Sequence, residues 1–236
     1  MIGILGGMGT QAGLDFCNKL AMLNRGKIDQ KYPLFILYNK SNIPGRPENL
    51  HKYNKVLKSL IKGCLLLQRN KCKFIVIPCN TAHYWYDDLQ RQIKIPIISM
   101  PKEVYLHAKN KCKKNSKIGI LATEGTLKTN VYNKFFNKNF TLVNPKKSLQ
   151  IKSVNKAIKF VKMGKIKDAE KAIKPAINYL IKMNCTKIIL GCTELPIAIF
   201  AFKSFKKVKL SKVFLDPNLI LANTSMKKYK NLQVKI

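Results

Sequence analysis

Arginine is nearly missing from this chain. Only Arg25, Arg46, Arg69 and Arg91 occur, although lysine and arginine together number 45 against 11 acidic residues, for a net charge of +34. Proteins that bind nucleic acids use arginine for its planar fork and gather their charge into patches. Here lysine runs through nearly every segment, which fits a biased coding background at solvated positions better than a polynucleotide partner. A basic nucleic-acid-binding protein is therefore the weaker alternative. A positive field of this size would still concentrate anionic small molecules such as dicarboxylates.

Other absences narrow the field. No apolar run reaches membrane-spanning length and the N-terminus lacks the charged start of a signal peptide, so the expectation is a cytoplasmic protein with no membrane partner. The seven cysteines are odd in number and scattered, which suits a reducing compartment and free thiols. No two of them have the close spacing of a zinc site, so no metal is expected. The loose GxGxxA match at Gly7–Ala12 follows a strand, but the next strand, LFILYNKSN at 34–42, ends without the acidic residue that would hold a cofactor ribose. A nicotinamide enzyme is thus a poor reading.

What the chain does have is an internal repeat. MIGILGG at 1–7 resembles KIGILAT at 117–123, with Ile2-Gly3-Ile4-Leu5 matching residues 116 positions later. PIISMP at 96–101 resembles KVFLDP at 212–217 at the same offset. KCKFIVIPCNTAH at 71–83 resembles NCTKIILGCTELP at 184–196, offset by 113. Between them, residues 49–68 and 164–183 place apolar side chains at helical spacing among lysines. Short apolar strands alternating with such helices mark parallel α/β sheets. The expected fold is α/β, with two pseudo-symmetric parallel-sheet units and the active site in the cleft between them, outside the carboxyl ends of the strands.

In the cysteine repeat, Cys79 and Cys192 each end an apolar strand, and Cys72 and Cys185 each lie seven positions earlier. Asn80-Thr81 and Thr193-Glu194 follow the strand-ending thiols, with helix-like sequence after them. Asn and Thr are good caps, so each thiol should sit at a helix N-terminus that lowers its pKa. Cys17, Cys64, Cys72, Cys112 and Cys185 read as packing residues. Two poised, symmetry-related thiols suit the inversion of an amino-acid Cα. One takes the proton from one face while the other returns a proton to the opposite face, each sulfur about 3–3.5 Å from the carbon.

At these residues the sequence resembles the aspartate/glutamate racemase family, on its aspartate racemase side. The resemblance runs through GILGGMG, the IPGR turn at 43–46, PCNTAH, the VKMGK segment, GCTE and the closing DPNLILA. It implies a racemase that needs no pyridoxal phosphate or other cofactor, acting on L- and D-aspartate or on glutamate as a homodimer, with a related racemase or isomerase of the same superfamily acting on another small carboxylate as the alternative. It also implies that the last helix crosses to the first half, giving domains 1–104 plus 211–236 and 105–210. Cys79 and Cys192 would be the acid/base pair, with Arg46 and Lys162 on substrate carboxylates. Met8, Asn80, Thr81, Thr126 and Thr193 would line the substrate, with Gly9, Gln11, His83 and Glu194 in support. Arg46 stands out physically as well, as an arginine in a Pro-Gly-Arg-Pro turn of a lysine-rich chain. His83 reads as a structural residue rather than a catalyst, and Glu194 either orients Cys192 or caps its helix. Thr10, Gly45 and Pro47 depart from the family pattern and bear on specificity.

Overall fold

A computed structural model describes residues 1–24, 28–200 and 212–233. The chain divides into two compact units, Met1–Glu103 with Asn218–Ile236, and Val104–Pro217.

The first unit is built on β1 (Ile2–Gly6), β2 (Phe35–Asn39), β3 (Phe74–Val76) and β4 (Ile97–Ile98), all parallel, in the order β2-β1-β3-β4. Every residue of β1 and β3 is buried. Such apolar runs need helices on both faces of their sheet. Those helices are α1 (Thr10–Met22), α2 (Tyr53–Arg69) and α3 (Tyr86–Gln92), with the division between units falling inside α4 (Met100–Lys111). α2 turns Val56, Leu60, Gly63, Cys64 and Leu67 inward, the stripe that its 3.6-residue period requires.

The second unit repeats the plan with β5 (Lys117–Ala122), β6 (Thr141–Val143), β7 (Lys187–Gly191) and β8 (Phe214–Leu215), in the order β6-β5-β7-β8. Its helices are α5 (Glu124–Lys128), α6 (Asn133–Phe136), α7 (Lys147–Leu149), α8 (Lys156–Lys162), α9 (Ile166–Lys182) and α10 (Leu195–Phe200). The repeats read in the sequence are β1 with β5, β3 with β7, and β4 with β8. The second unit ends at 217, past the expected 210, because β8 hydrogen-bonds to β7 and so belongs to that sheet. The final helix, α11 (Pro217–Gln233), packs Leu221, Ala222, Met226 and Tyr229 against Ile2, Ile4, Phe16 and Leu20, completing the first unit's core. Tyr229 also accepts the Leu34 N–H at 3.1 Å.

The earlier cysteine of each repeat has a local explanation. Cys72 N–H donates to the Leu67 carbonyl and Lys71 N–H to that of Gln68, while Cys185 and Asn184 do the same to Leu180 and Ile181. Lys71 and Asn184 both have φ of 59°. These are the paired bonds and left-handed residue that close a helix in a Schellman motif, with the cysteine as its apolar flank. A Cβ on Gly3 would come within 3.2 Å of Leu67 Cβ, and one on Gly119 within 3.3 Å of Leu180 Cβ. Glycine in each IGIL strand therefore lets the end of the long helix lie close against the sheet. Cys72 and Cys185 are buried packing groups, as expected.

Candidate functional site

The site residues of the first unit lie beyond the carboxyl ends of β1 and β3. These strands are neighbours, and the chain leaves β1 for β2 on one side and reaches β3 on the other, the switch point where open sheets bind ligands. After β1 the chain turns sharply at Gly7, where φ is 88° and a Cβ would stand 2.3 Å from the Lys40 carbonyl carbon. Only glycine fits there. Met8 is buried next, in one cluster with Ile43 and Cys79. Gly9 precedes α1 in extended conformation, and Gln11 is exposed. Thr10 accepts a hydrogen bond from Asn39 at the end of β2, 3.2 Å away.

Three residues past β3 comes Cys79, 6% exposed, its N–H closing a tight turn onto the Ile77 carbonyl at 2.7 Å. Asn80 and Thr81 are buried beside it. The expected Asn80 cap does not form. Asn80 is itself in helical conformation with no capping bond from its side chain, and a 3₁₀ turn, Thr81–Trp85, precedes the seven-residue α3. His83 accounts for the local geometry. Its Nε2 accepts the Met100 N–H at 3.0 Å, so its proton is on Nδ1, which donates to the Cys79 carbonyl at 2.9 Å. Burial lowers its pKa to about 4. A neutral ring with both nitrogens committed holds the Cys79 backbone and moves no proton. Arg46 is half-buried, with Nη1 on the carbonyls of Ile43 and Pro44, and among the described residues its Nε has no partner.

In the second unit, Cys192 follows β7 directly and Thr126 lies in α5, just past β5, the strand paired with β7. Thr126 is buried, and its N–H is capped by the Thr123 hydroxyl at 3.1 Å. Cys192 is 6% exposed; its Sγ donates to Glu194 Oε2 at 3.0 Å, and Thr193 Oγ1 donates to the same oxygen at 3.3 Å. The lowered pKa expected for this thiol is reversed. Burial first, then the Glu194 carboxylate, push it well above its ordinary value, while the Glu194 backbone N–H and, after it, Lys162 pull the other way. Lys162 itself ends α8 and is exposed.

A polar chain beside Thr126 had no signature in the sequence. Gln150, buried in a short π-helical stretch, donates to the Ala122 carbonyl at 2.9 Å and to Asn155 at 2.8 Å, and Asn155 donates to Glu124 at 2.8 Å. It ties down the carboxyl end of β5. A buried glutamine in a lysine-rich amphipathic segment looks like any solvated one until packing is known.

Set against known proteins, residues 5–224 match the profile of the family described as Asp/Glu/Hydantoin racemase. The broad specificity amino-acid racemase RacX of Bacillus subtilis is 28% identical over 202 residues, covering 83% of this chain and 86% of that protein. The solved aspartate racemase of Picrophilus torridus superposes with a TM-score of 0.82 at 27% identity, over 97% of this chain and 94% of its own. An aspartate racemase homologue from Pyrococcus horikoshii gives 0.79 at 25% identity, over 97% and 98%.

Proposed function

This chain belongs to the Asp/Glu/hydantoin racemase family, hence to the isomerases, and from that premise we propose that it interconverts L- and D-aspartate without a cofactor, using Cys79 and Cys192 as acid and base. The observation that carries the reading is the equivalence of the two thiols. Each follows the third-ranked strand of a matching four-stranded parallel sheet, at the end where such sheets bind ligands.

The chemistry follows from what a Cα proton needs. One sulfur, as thiolate, removes it from one face, and the other, as thiol, gives a proton to the opposite face. The configuration inverts with no net change in protons. Arg46 and Lys162 would hold the two carboxylates. Arg46 suits this because its Nη1 is braced on backbone carbonyls, which fixes the fork that a carboxylate meets. Met8, Asn80, Thr81, Thr126 and Thr193 would line the substrate. Glutamate is the neighbouring substrate in chemistry, and the broad specificity named for the Bacillus relative keeps other amino acids in view. The same reading has the enzyme working as a homodimer in the cytoplasm.

The test is incubation with L-aspartate in deuterated water. D-aspartate should appear with deuterium at Cα, and Cys79→Ala and Cys192→Ala should each lower inversion by about 10²-fold or more. If both variants racemise at the unaltered rate, the two-thiol mechanism is wrong. If the chain ignores aspartate but inverts another amino acid in the same assay, the substrate is corrected and the chemistry stands.

A further inference from the structure

The two cysteine repeats diverge just after the thiol. Asn80 corresponds to Thr193, and Thr81 to Glu194. Two positions after the sulfur stands a hydroxyl in one repeat and a carboxylate in the other, so the symmetry breaks where proton transfer is proposed. Glu194 is 7% exposed, and its Oε2 receives both the Cys192 Sγ and the Thr193 hydroxyl. Both donors converge on Oε2, which serves as acceptor to each. Such an oxygen can accept from sulfur only if the sulfur carries its hydrogen.

From this geometry we propose that Glu194 is a positioning residue that keeps the proton on Cys192 in the resting enzyme, so that Cys192 starts as the acid and Cys79 as the base. The inference rests on the racemase reading above and deepens it. In the cycle, Cys79 takes the Cα proton, and Cys192 delivers its own to the opposite face. The enzyme returns to rest when Cys79 releases its proton to solvent and Cys192 regains one. Until then a Cys192 thiolate stands against the Glu194 carboxylate, two negative charges in a buried place. Among the described residues of its unit, the charged groups acting on this sulfur are Glu194, whose carboxylate opposes the thiolate, and Lys162, which favours it. The two protonation forms of the free enzyme are therefore unequal, and the enantiomer whose Cα–H faces Cys79 is turned over from the populated one.

Alkylation of the folded full-length chain by iodoacetamide, followed cysteine by cysteine with peptide mass spectrometry from neutral to alkaline pH, tests this. In the unaltered chain Cys79 should react ahead of Cys192. Glu194→Gln should raise the Cys192 rate at neutral pH by about tenfold or more, the equivalent of one pKa unit, and leave the Cys79 rate unchanged. Glu194→Thr, which copies Thr81, should act in the same direction. An unchanged Cys192 rate in the folded variants overturns the proposal, and so does Cys192 reacting as fast as Cys79 in the unaltered chain, a comparison that needs no variant to fold. Racemisation is scored separately. A chain that inverts no amino acid overturns the proposed function, whereas one that racemises but fails the alkylation test loses only the role given to Glu194.

Discussion

The imidazole of His83 bridges the Cys79 carbonyl and the Met100 N–H, an arrangement open only to the neutral ring. A protonated ring would turn an N–H toward the Met100 N–H. The unfolded chain takes up this proton near pH 6.5, whereas the folded chain refuses it until about 4. Acid therefore favours unfolding across that window. The stability that His83 contributes is complete above 6.5 and lost by about 4, roughly 3 kcal/mol in all. Urea unfolding at stepped pH should show the decline, and His83→Asn, which keeps a donor for the Cys79 carbonyl but cannot titrate, should flatten it. A decline of the same size in the Asn variant would assign it to other groups. The sequence places His83 beside a strand-ending cysteine and suggests a structural residue, but the partner of its second nitrogen is 17 positions away and emerges only from the fold. The Cys192 thiol shows the same boundary more sharply. Its neighbour Glu194 is visible in the sequence, yet the direction of its effect depends on whether the carboxylate turns toward the sulfur or toward the helix.

At the scale of elements, the strands and long helices follow from apolar patterning, since an unbroken apolar run and a 3.6-residue stripe each leave one packing solution. Departures occur where a local bond competes with the pattern. α9 contains Pro175, which has no N–H to donate and crowds the preceding turn. Next to it the Ser153 hydroxyl inserts into the helix ladder, donating to the Ala172 carbonyl and accepting the Ala176 N–H, the i,i+4 pair that follows the one the proline lacks. A side chain from a neighbouring element thus bridges two backbone groups that a helix would pair with each other. Nothing in the sequence pairs Ser153 with Pro175. Ser153→Ala should cost about 1–3 kcal/mol, because it removes the hydroxyl's two hydrogen bonds to the helix backbone. Denaturant unfolding measures it. In a Pro175→Ala background the cost should shrink as the helix closes its own ladder, and equal costs in both backgrounds would refute the link.

The whole molecule repeats one plan twice, and the constant offsets between its motifs carry that plan in the sequence itself. The offsets do not say which core the final helix joins. α11 is contiguous with β8 of the second unit but lends four buried side chains to the first. The second unit is one unbroken stretch of chain and the first is not. A fragment of residues 104–217 should unfold cooperatively when made alone. A fragment of residues 1–103 should bind a hydrophobic dye until a peptide of residues 217–233 is added. Thermal melts followed by circular dichroism distinguish these outcomes, and a cooperative melt of 1–103 without the peptide would contradict them. Each of the larger buried side chains on α11 is worth about 1.5–3 kcal/mol.

Synthesis on the ribosome runs from the N-terminal side, so this arrangement inverts the order of completion. The part of the protein made first must wait, with one apolar face of its sheet only partly covered by α1, until α11 has left the exit tunnel, while the part made second can settle ahead of it. Nascent chains of this protein therefore carry their greatest aggregation hazard in the half that has been waiting longest.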